Sequence, residues 1–95
     1  GIQKFYEFLG ASIKYPKAAF ENNIQGTTYL SFLIEKDGSL TDITVQKGSG
    51  NTLLDDEAKR IVNIMPKWIA GQQNGKSVPV YFNLPIKFSD YNVQC

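Results

Sequence analysis

The sequence predicts an α+β domain of two layers, with helices packed on one face of a three-stranded antiparallel sheet. Three observations carry this. Apolar spacing switches between the helical and the strand period in the order helix, strand, strand, helix, strand. Asp37-Gly38 lies between two alternating runs, which is the strongest short-range hairpin signal. A length of 95 residues accommodates one domain with a small core. The helix after the hairpin delivers the last strand either beside the second in parallel or beside the first antiparallel. The second arrangement, strand order 2-1-3, is the expectation.

Ile2, Phe5, Tyr6, Leu9 and Ile13 recur at intervals of three and four, which predicts an amphipathic helix up to about Leu9, ending at Gly10. Tyr15-Pro16 follows, because a residue before proline is pushed out of the helical region. Pro16 suits the first position of a second short helix, KAAFENN, where its missing N–H is no loss, and Asn22 and Asn23 end that turn.

The first strand, Thr27 to Glu35, is rich in β-branched and aromatic residues and sets Leu30, Phe32 and Ile34 on one face. After the turn at 36–39 the second strand runs from about Leu40 to Lys47, with Ile43 and Val45 on one face beside Thr41 and Lys47. Gly48-Ser49-Gly50 stops it. Asn51 or Thr52 caps the next helix, and Asp55, Asp56 and Glu57 occupy its first turn, at the positive end of the dipole. Leu54, Ala58, Ile61, Val62 and Met65 give that helix one apolar stripe, and Pro66 ends it. A polar loop, Gln72 to Lys76 with Asn74-Gly75, leads to the last strand.

That last strand, Ser77 to Phe88, has Val78, Val80, Phe82, Leu84, Ile86 and Phe88 on its even positions and Pro79, Tyr81, Asn83, Pro85 and Lys87 on its odd ones. Backbone groups at i and i+2 point to the same lateral side, so both prolines remove donors from one side only. A central strand cannot lose them, and an edge strand can. This edge is read either as protected against aggregation or as a surface for peptide capture by strand addition.

Composition narrows the function classes. Ten Lys and Arg against nine Asp and Glu leave a formal charge of +1 without a basic run, which argues against nucleic acid or an anionic membrane as the main partner. There is no histidine, and the single cysteine is Cys95, so His-dependent triads, Cys/His pairs and ordinary zinc sites have no ligands to draw on. Cys95 itself reads as a free thiol on a tail. Asp55, Asp56 and Glu57 fan around a helix, Asp37 and Asp42 flank the hairpin turn, and the two glycine-containing loops match no phosphate-binding fingerprint. Trp68 with Tyr15, Tyr29 and Tyr81 reads as packing rather than as a small-molecule pocket. No catalytic residue, metal site or cofactor is expected, and an enzyme is not the reading. No apolar run is long enough to cross a bilayer and no signal peptide opens the chain, so a targeting segment is expected upstream of Gly1.

The residues then point to a family. YPKAAFENNIQGTTYLSFLIEKDGSLTDITVQKGSG resembles the opening of the TonB C-terminal domain family, with its Tyr-Pro, short helix, Ile-x-Gly, strand, Asp-Gly turn and second strand. LLDDEAKRIVNIMPKWIAGQQNGKSVPVYFNLPIKF is similar to that family's second helix, tryptophan-containing exit, Asn-Gly-Lys loop and last strand. The resemblance covers Tyr15 to Phe88 as the core of a single domain, with a helix at 1–14 before it and a tail at 89–95. Ser12 stands where the best-known members carry a glutamine that contacts the partner.

The resemblance implies the periplasmic domain of an energy transducer anchored in the inner membrane of a Gram-negative bacterium. Its upstream membrane segment works with ExbB and ExbD, and its partners are TonB-dependent outer-membrane transporters importing siderophores, vitamins or glycans. Such domains bind the transporter's TonB box as a strand added to the last strand's edge. The implied partner-binding residues are Tyr15, Pro16, Val78, Pro79, Val80, Tyr81, Phe82, Asn83, Leu84, Pro85, Ile86 and Lys87. With prolines at 79 and 85, ladder pairing concentrates around Tyr81 and Asn83, with Lys87 beyond. The alternative is a sensory or scaffolding module of a membrane signalling protein, with the same edge joining two copies into a homodimer.

Overall fold

A computed structural model describes residues 2–68, 71–89 and 92–94 of the chain. It runs α1 (Ile2–Ser12), α2 (Lys17–Glu21), β1 (Gly26–Ile34), β2 (Leu40–Lys47), α3 (Thr52–Asn63), β3 (Gly71–Gln73), β4 (Lys76–Val78), β5 (Val80–Ser89) and β6 (Asn92–Gln94). The main sheet has the order β2-β1-β5-β6, and its recorded pairs, β1 with β2, β1 with β5 and β5 with β6, are all antiparallel. β3 and β4 form a separate two-stranded hairpin. The expected order 2-1-3 is therefore kept for β2, β1 and β5, but the sheet has four strands, not three.

β1 is central because nothing in it removes a ladder donor and its inner face carries three large apolar side chains. Leu30, Phe32 and Ile34 are buried, and Leu84, Ile86 and Phe88 of β5 join them on the same face. α3 lays Leu54, Ala58, Ile61 and Val62 over that face, each at 0–1% exposure. Removing side chains of this size from water contributes about 1.5–3 kcal/mol each, which makes this interlock the main stabilising term. α1 adds Phe5 and Leu9 to the same cluster.

The ends of α3 are built from its own sequence. Asn51, in extended backbone, accepts the Leu53 N–H at 2.8 Å, so Asn51 and not Thr52 is the cap, an interaction worth about 1 kcal/mol. Asp55 faces back toward the sheet: its Oδ1 accepts the Thr28 hydroxyl at 2.7 Å and the Ser49 N–H at 2.8 Å. Burial pushes the Asp55 carboxyl up, but the donors from Ser49 and Thr28 outweigh it and hold it below the ordinary carboxylate value. The helix stops at Asn63, so Met65 packs against the core from beyond its end.

Several expected boundaries are corrected. α1 continues through Gly10 to Ser12, because glycine inside a helix lowers stability without breaking it and Gly10 has open space beside it. Pro16 is the residue before the first turn of α2, not its first helical position. The run Ser77 to Phe88 is two strands: Pro79 divides β4, which pairs with β3, from β5, which pairs with β1. The tail is not wholly irregular, since Asn92–Gln94 pairs with Lys87–Ser89.

β2 departs most from simple alternation. Ser31 pairs with Thr44 and Leu33 with Thr41, so Phe32 alone faces both Asp42 and Ile43. Asp42 takes φ 53° there, as a bulge residue in the left-handed region. A second shift leaves Gln46 as the extra residue between the pairs at Lys47 and Val45. These bulges bring Leu40, Ile43 and Val45 to the core, and put Thr41 and Lys47 on the opposite face, contrary to the expectation from period two.

The β1–β2 turn is tied to the segment after α3. Gly38 has φ 87°, its carbonyl accepts the Trp68 N–H at 2.8 Å, and a Cβ on it would lie 2.0 Å from the Trp68 carbonyl oxygen. Only glycine meets both demands at this position.

Candidate functional site

β5 has one occupied side and one that is largely open. Its pairing with β1 is continuous from Val80↔Ile34 to Phe88↔Gly26, whereas β6 covers the other side only at Lys87, Phe88 and Ser89. The stretch from Val80 to Ile86 therefore has no recorded ladder partner on its outer side among the described residues. Seven extended residues make an edge of about 23 Å.

The parity of the prolines tells which backbone groups face outward. Pro85 pairs opposite Tyr29 inside an unbroken register, which a donor-less residue tolerates when its lateral groups point away from the neighbour. Tyr81 and Asn83 share that parity, so their N–H and C=O groups face the open side. Phe82, Leu84 and Ile86 bond toward β1 and turn their side chains inward: Leu84 and Ile86 are buried, and Phe82 is half-buried. The strand is thus held firmly on one side while it offers backbone on the other.

Side chains around the edge divide by face. On the inner face Phe82 packs at 5.0 Å from Trp68 and 5.7 Å from Phe32, between ring centroids. On the outer face Tyr81 is 65% exposed, and its hydroxyl donates to Asp42 Oδ2 at 3.3 Å, reaching across the β1 position of Leu33. The Asp42 hydrogen bond and negative charge hold the Tyr81 phenol above its ordinary value. Val80 is also exposed, at 38%.

The other expected site residues lie apart from this stretch. Tyr15 packs edge-on to Phe88 at 5.5 Å, and its hydroxyl donates to the Ile24 carbonyl, so it braces the far end of β5 from the inner face. Pro16 starts α2, its carbonyl accepting the Phe20 N–H at 2.9 Å. Val78 pairs with Gly71 in the hairpin, Pro79 is the joint between the two sheets, and Lys87 is paired with Gln94. The geometry thus brings together Val80, Tyr81, Phe82, Asn83, Leu84, Pro85 and Ile86, and separates Tyr15, Pro16, Val78, Pro79 and Lys87 from them.

Other candidate constellations do not converge. Trp68 is partly buried against the core, Tyr15 is beside Phe88, and Tyr29 lies on the outer face with Lys47 Nζ 6.0 Å from its ring. Glu57 pairs with Arg60 at 2.7 Å; burial raises its carboxyl, but the Arg60 guanidinium and the Lys14 N–H, at 2.7 Å, bring it below the ordinary value. Among the described residues no group of three or more acidic, Cys or His side chains is placed to hold a metal ion, and no helix is long and apolar enough to cross a membrane. Cys95 lies outside the described residues. Sequence reasoning missed three participants: Asp42, Trp68 as the partner of Phe82, and β6. Val93 between polar neighbours is the one signal of β6 in the sequence.

Comparison with known proteins fits this architecture. The model of the Gram-negative bacterial TonB protein C-terminal family matches residues 11–89. Protein TonB of Xanthomonas campestris pv. campestris (strain B100) is 32% identical over 78 residues, covering 80% of this chain and 34% of that protein. Protein TonB of Helicobacter pylori (strain J99 / ATCC 700824) is 29% identical over 92 residues, covering 93% of this chain and 30% of its own length. The chain therefore spans about a third of the curated relatives it matches. A solution structure of the Helicobacter pylori TonB C-terminal domain, residues 179–285, superposes with a TM-score of 0.69 at 28% identity, covering 93% of this chain and 78% of that one. The Pseudomonas aeruginosa TonB C-terminal domain shares the fold, with a TM-score of 0.65 at 23% identity over 84% of this chain and 80% of that one. With the family model extending over most of the chain and the fold agreeing, the chain belongs to the family of Gram-negative bacterial TonB protein C-terminal domains.

Proposed function

We infer that this chain is the periplasmic, partner-binding end of an energy transducer, and that it captures a short segment of a TonB-dependent outer-membrane transporter by adding it as a strand to β5. The observation that carries this reading is the edge from Val80 to Ile86, anchored to the core through Leu84 and Ile86 and unpaired on its outer side among the described residues. Backbone hydrogen bonds supply the affinity in this mode, and the side chains on either face supply the selection. Energy drawn from the proton gradient by ExbB and ExbD would reach this domain through an inner-membrane anchor belonging to another part of the protein. The cargo is a siderophore, vitamin or glycan. The domain's role is binding and force transmission, not catalysis.

Titrating the isotope-labelled chain with peptides from the periplasmic N-termini of such transporters tests this. Amide shifts centred on Tyr81 and Asn83 are expected. Saturating binding that leaves Val80 to Ile86 unmoved, or no binding by any transporter segment, would overturn it.

The same open edge supports a second reading, in which two copies pair β5 to β5 in a signalling or scaffolding module. Sedimentation separates the two readings, since a concentration-dependent dimer that resists transporter peptides favours the second.

A further inference from the structure

We propose that α1 controls the quality of the β5 edge, with Phe5 and Trp68 acting as positioning residues that hold Phe82, and with it the outward-facing backbone of Tyr81 and Asn83, in shape for strand capture. This rests on the docking reading above.

The argument starts from how little holds α1. Of its described side chains, Phe5 and Leu9 are its two fully buried anchors, at 3% and 4% exposure. An isolated helix of 11 residues is not stable in water, so α1 persists through this docking. The Phe5 ring lies 5.2 Å from Trp68, and Trp68 lies 5.0 Å from Phe82, so one indole is shared between the N-terminal helix and the middle of the docking strand. Trp68 is fixed further by its backbone N–H to the Gly38 carbonyl and its indole N–H to Met65 Sδ. If Phe5 withdraws, Trp68 loses the ring on that side, and Phe82 loses the rigidity of its neighbour.

A polar latch closes the far end of α1. Arg60 Nη2 donates to the Ser12 carbonyl at 3.0 Å, and the Lys14 N–H donates to Glu57 Oε2 at 2.7 Å, so one turn of α3 grips the exit of the helix. Arg60 is itself held by Glu57 through Nε. Release of α1 requires giving up two buried anchors and one exposed latch together. An element of this kind is what allows two sites to bias a common equilibrium. Coupling runs both ways: whatever affinity the docked state adds for a strand, the bound strand returns as protection of α1.

The test uses the full 95-residue chain and variants Phe5→Ala, Phe5→Leu and Arg60→Gln, with Trp68→Phe as the conservative control. Amide exchange is read without peptide, then with a saturating transporter peptide, and peptide affinity is measured in parallel. Phe5→Ala is expected to speed exchange at Phe82 and Leu84 about fivefold or more relative to Ser31 and Leu33 of β1, which face β2, and to weaken peptide binding by a similar factor, in the range usual for linked sites. Phe5→Leu and Arg60→Gln should give smaller changes of the same sign, and Trp68→Phe should retain most of the affinity. In the wild type, peptide should slow exchange across Phe5 to Ser12. Release of α1 without a change at Phe82 overturns the proposal, and that arm needs no peptide. If the exchange coupling holds but no peptide binds, the docking reading fails and α1 still governs the edge. If peptide binds wild type and Phe5→Ala equally, the docking reading stands and this one falls.

Discussion

The hydroxyl of Thr28, fully buried on β1, donates to Asp55 Oδ1 at 2.7 Å, which pins the first turn of α3 to the sheet. The same oxygen receives the Ser49 N–H, so one carboxylate satisfies both the strand and the β2–α3 loop. Asp55→Ala leaves two partly buried donors unpaired and is expected to lower stability by about 1–3 kcal/mol in urea unfolding. Thr28→Val, which keeps the volume, should cost less, because Ser49 still holds the carboxylate.

The pH dependence follows from the same group. The folded-state value of Asp55 is depressed, so its contribution is fully present above the ordinary carboxylate value and is lost as pH falls through the lower folded value. Glu57 adds in the same direction. Unfolding midpoints should therefore drop on the acid side, and Asp55→Asn should flatten that limb when stability is measured across it.

Proline scanning of β5 separates capture from folding. Asn83→Pro removes an outward donor and no bond to β1, so peptide affinity should fall about tenfold or more while the unfolding midpoint moves little. Lys87→Glu, at a position already paired with Gln94, should change affinity less. Calorimetry alongside chemical unfolding distinguishes the two; equal affinity for Asn83→Pro and wild type contradicts the parity argument.

Gly38→Ala tests the tie between the hairpin and the segment after α3. The new Cβ would meet the Trp68 carbonyl at 2.0 Å in a backbone of φ 87°, so a loss of at least about 2 kcal/mol is expected, with a shift of tryptophan emission. Unchanged stability would mean that the turn and Trp68 move apart without cost.

Ending the chain after Ser89 removes β6 and lengthens the open side of β5 to include Lys87. Transporter peptides should then bind more tightly and shift the Lys87 and Ser89 amides, which they leave unmoved in the intact chain. Identical affinity for both chains would show that partner strands never extend past Ile86.

Much of this was legible where one local signal and the tertiary outcome agree. TTYLSFLI declares a half-buried strand, Asn51 or Thr52 declares a cap, and Pro85 declares which side of β5 faces away from β1. The misses arise where tertiary contacts decide. Leu40, Ile43 and Val45 share a face only because Asp42 bulges, and nothing in their spacing alone says which residue is the extra one. β6 is three residues long and depends on β5 as its template. The partnership of Trp68 with Phe82 joins segments that share no local pattern.

The two bulges in β2 have a consequence for valency. They twist and interrupt the sheet's other margin, which suits a strand that is not to be extended. On the proposed reading, a strand added at β5 leaves the bulged margin of β2 behind it, a poorer template for a second addition, which disfavours growth into a fibre.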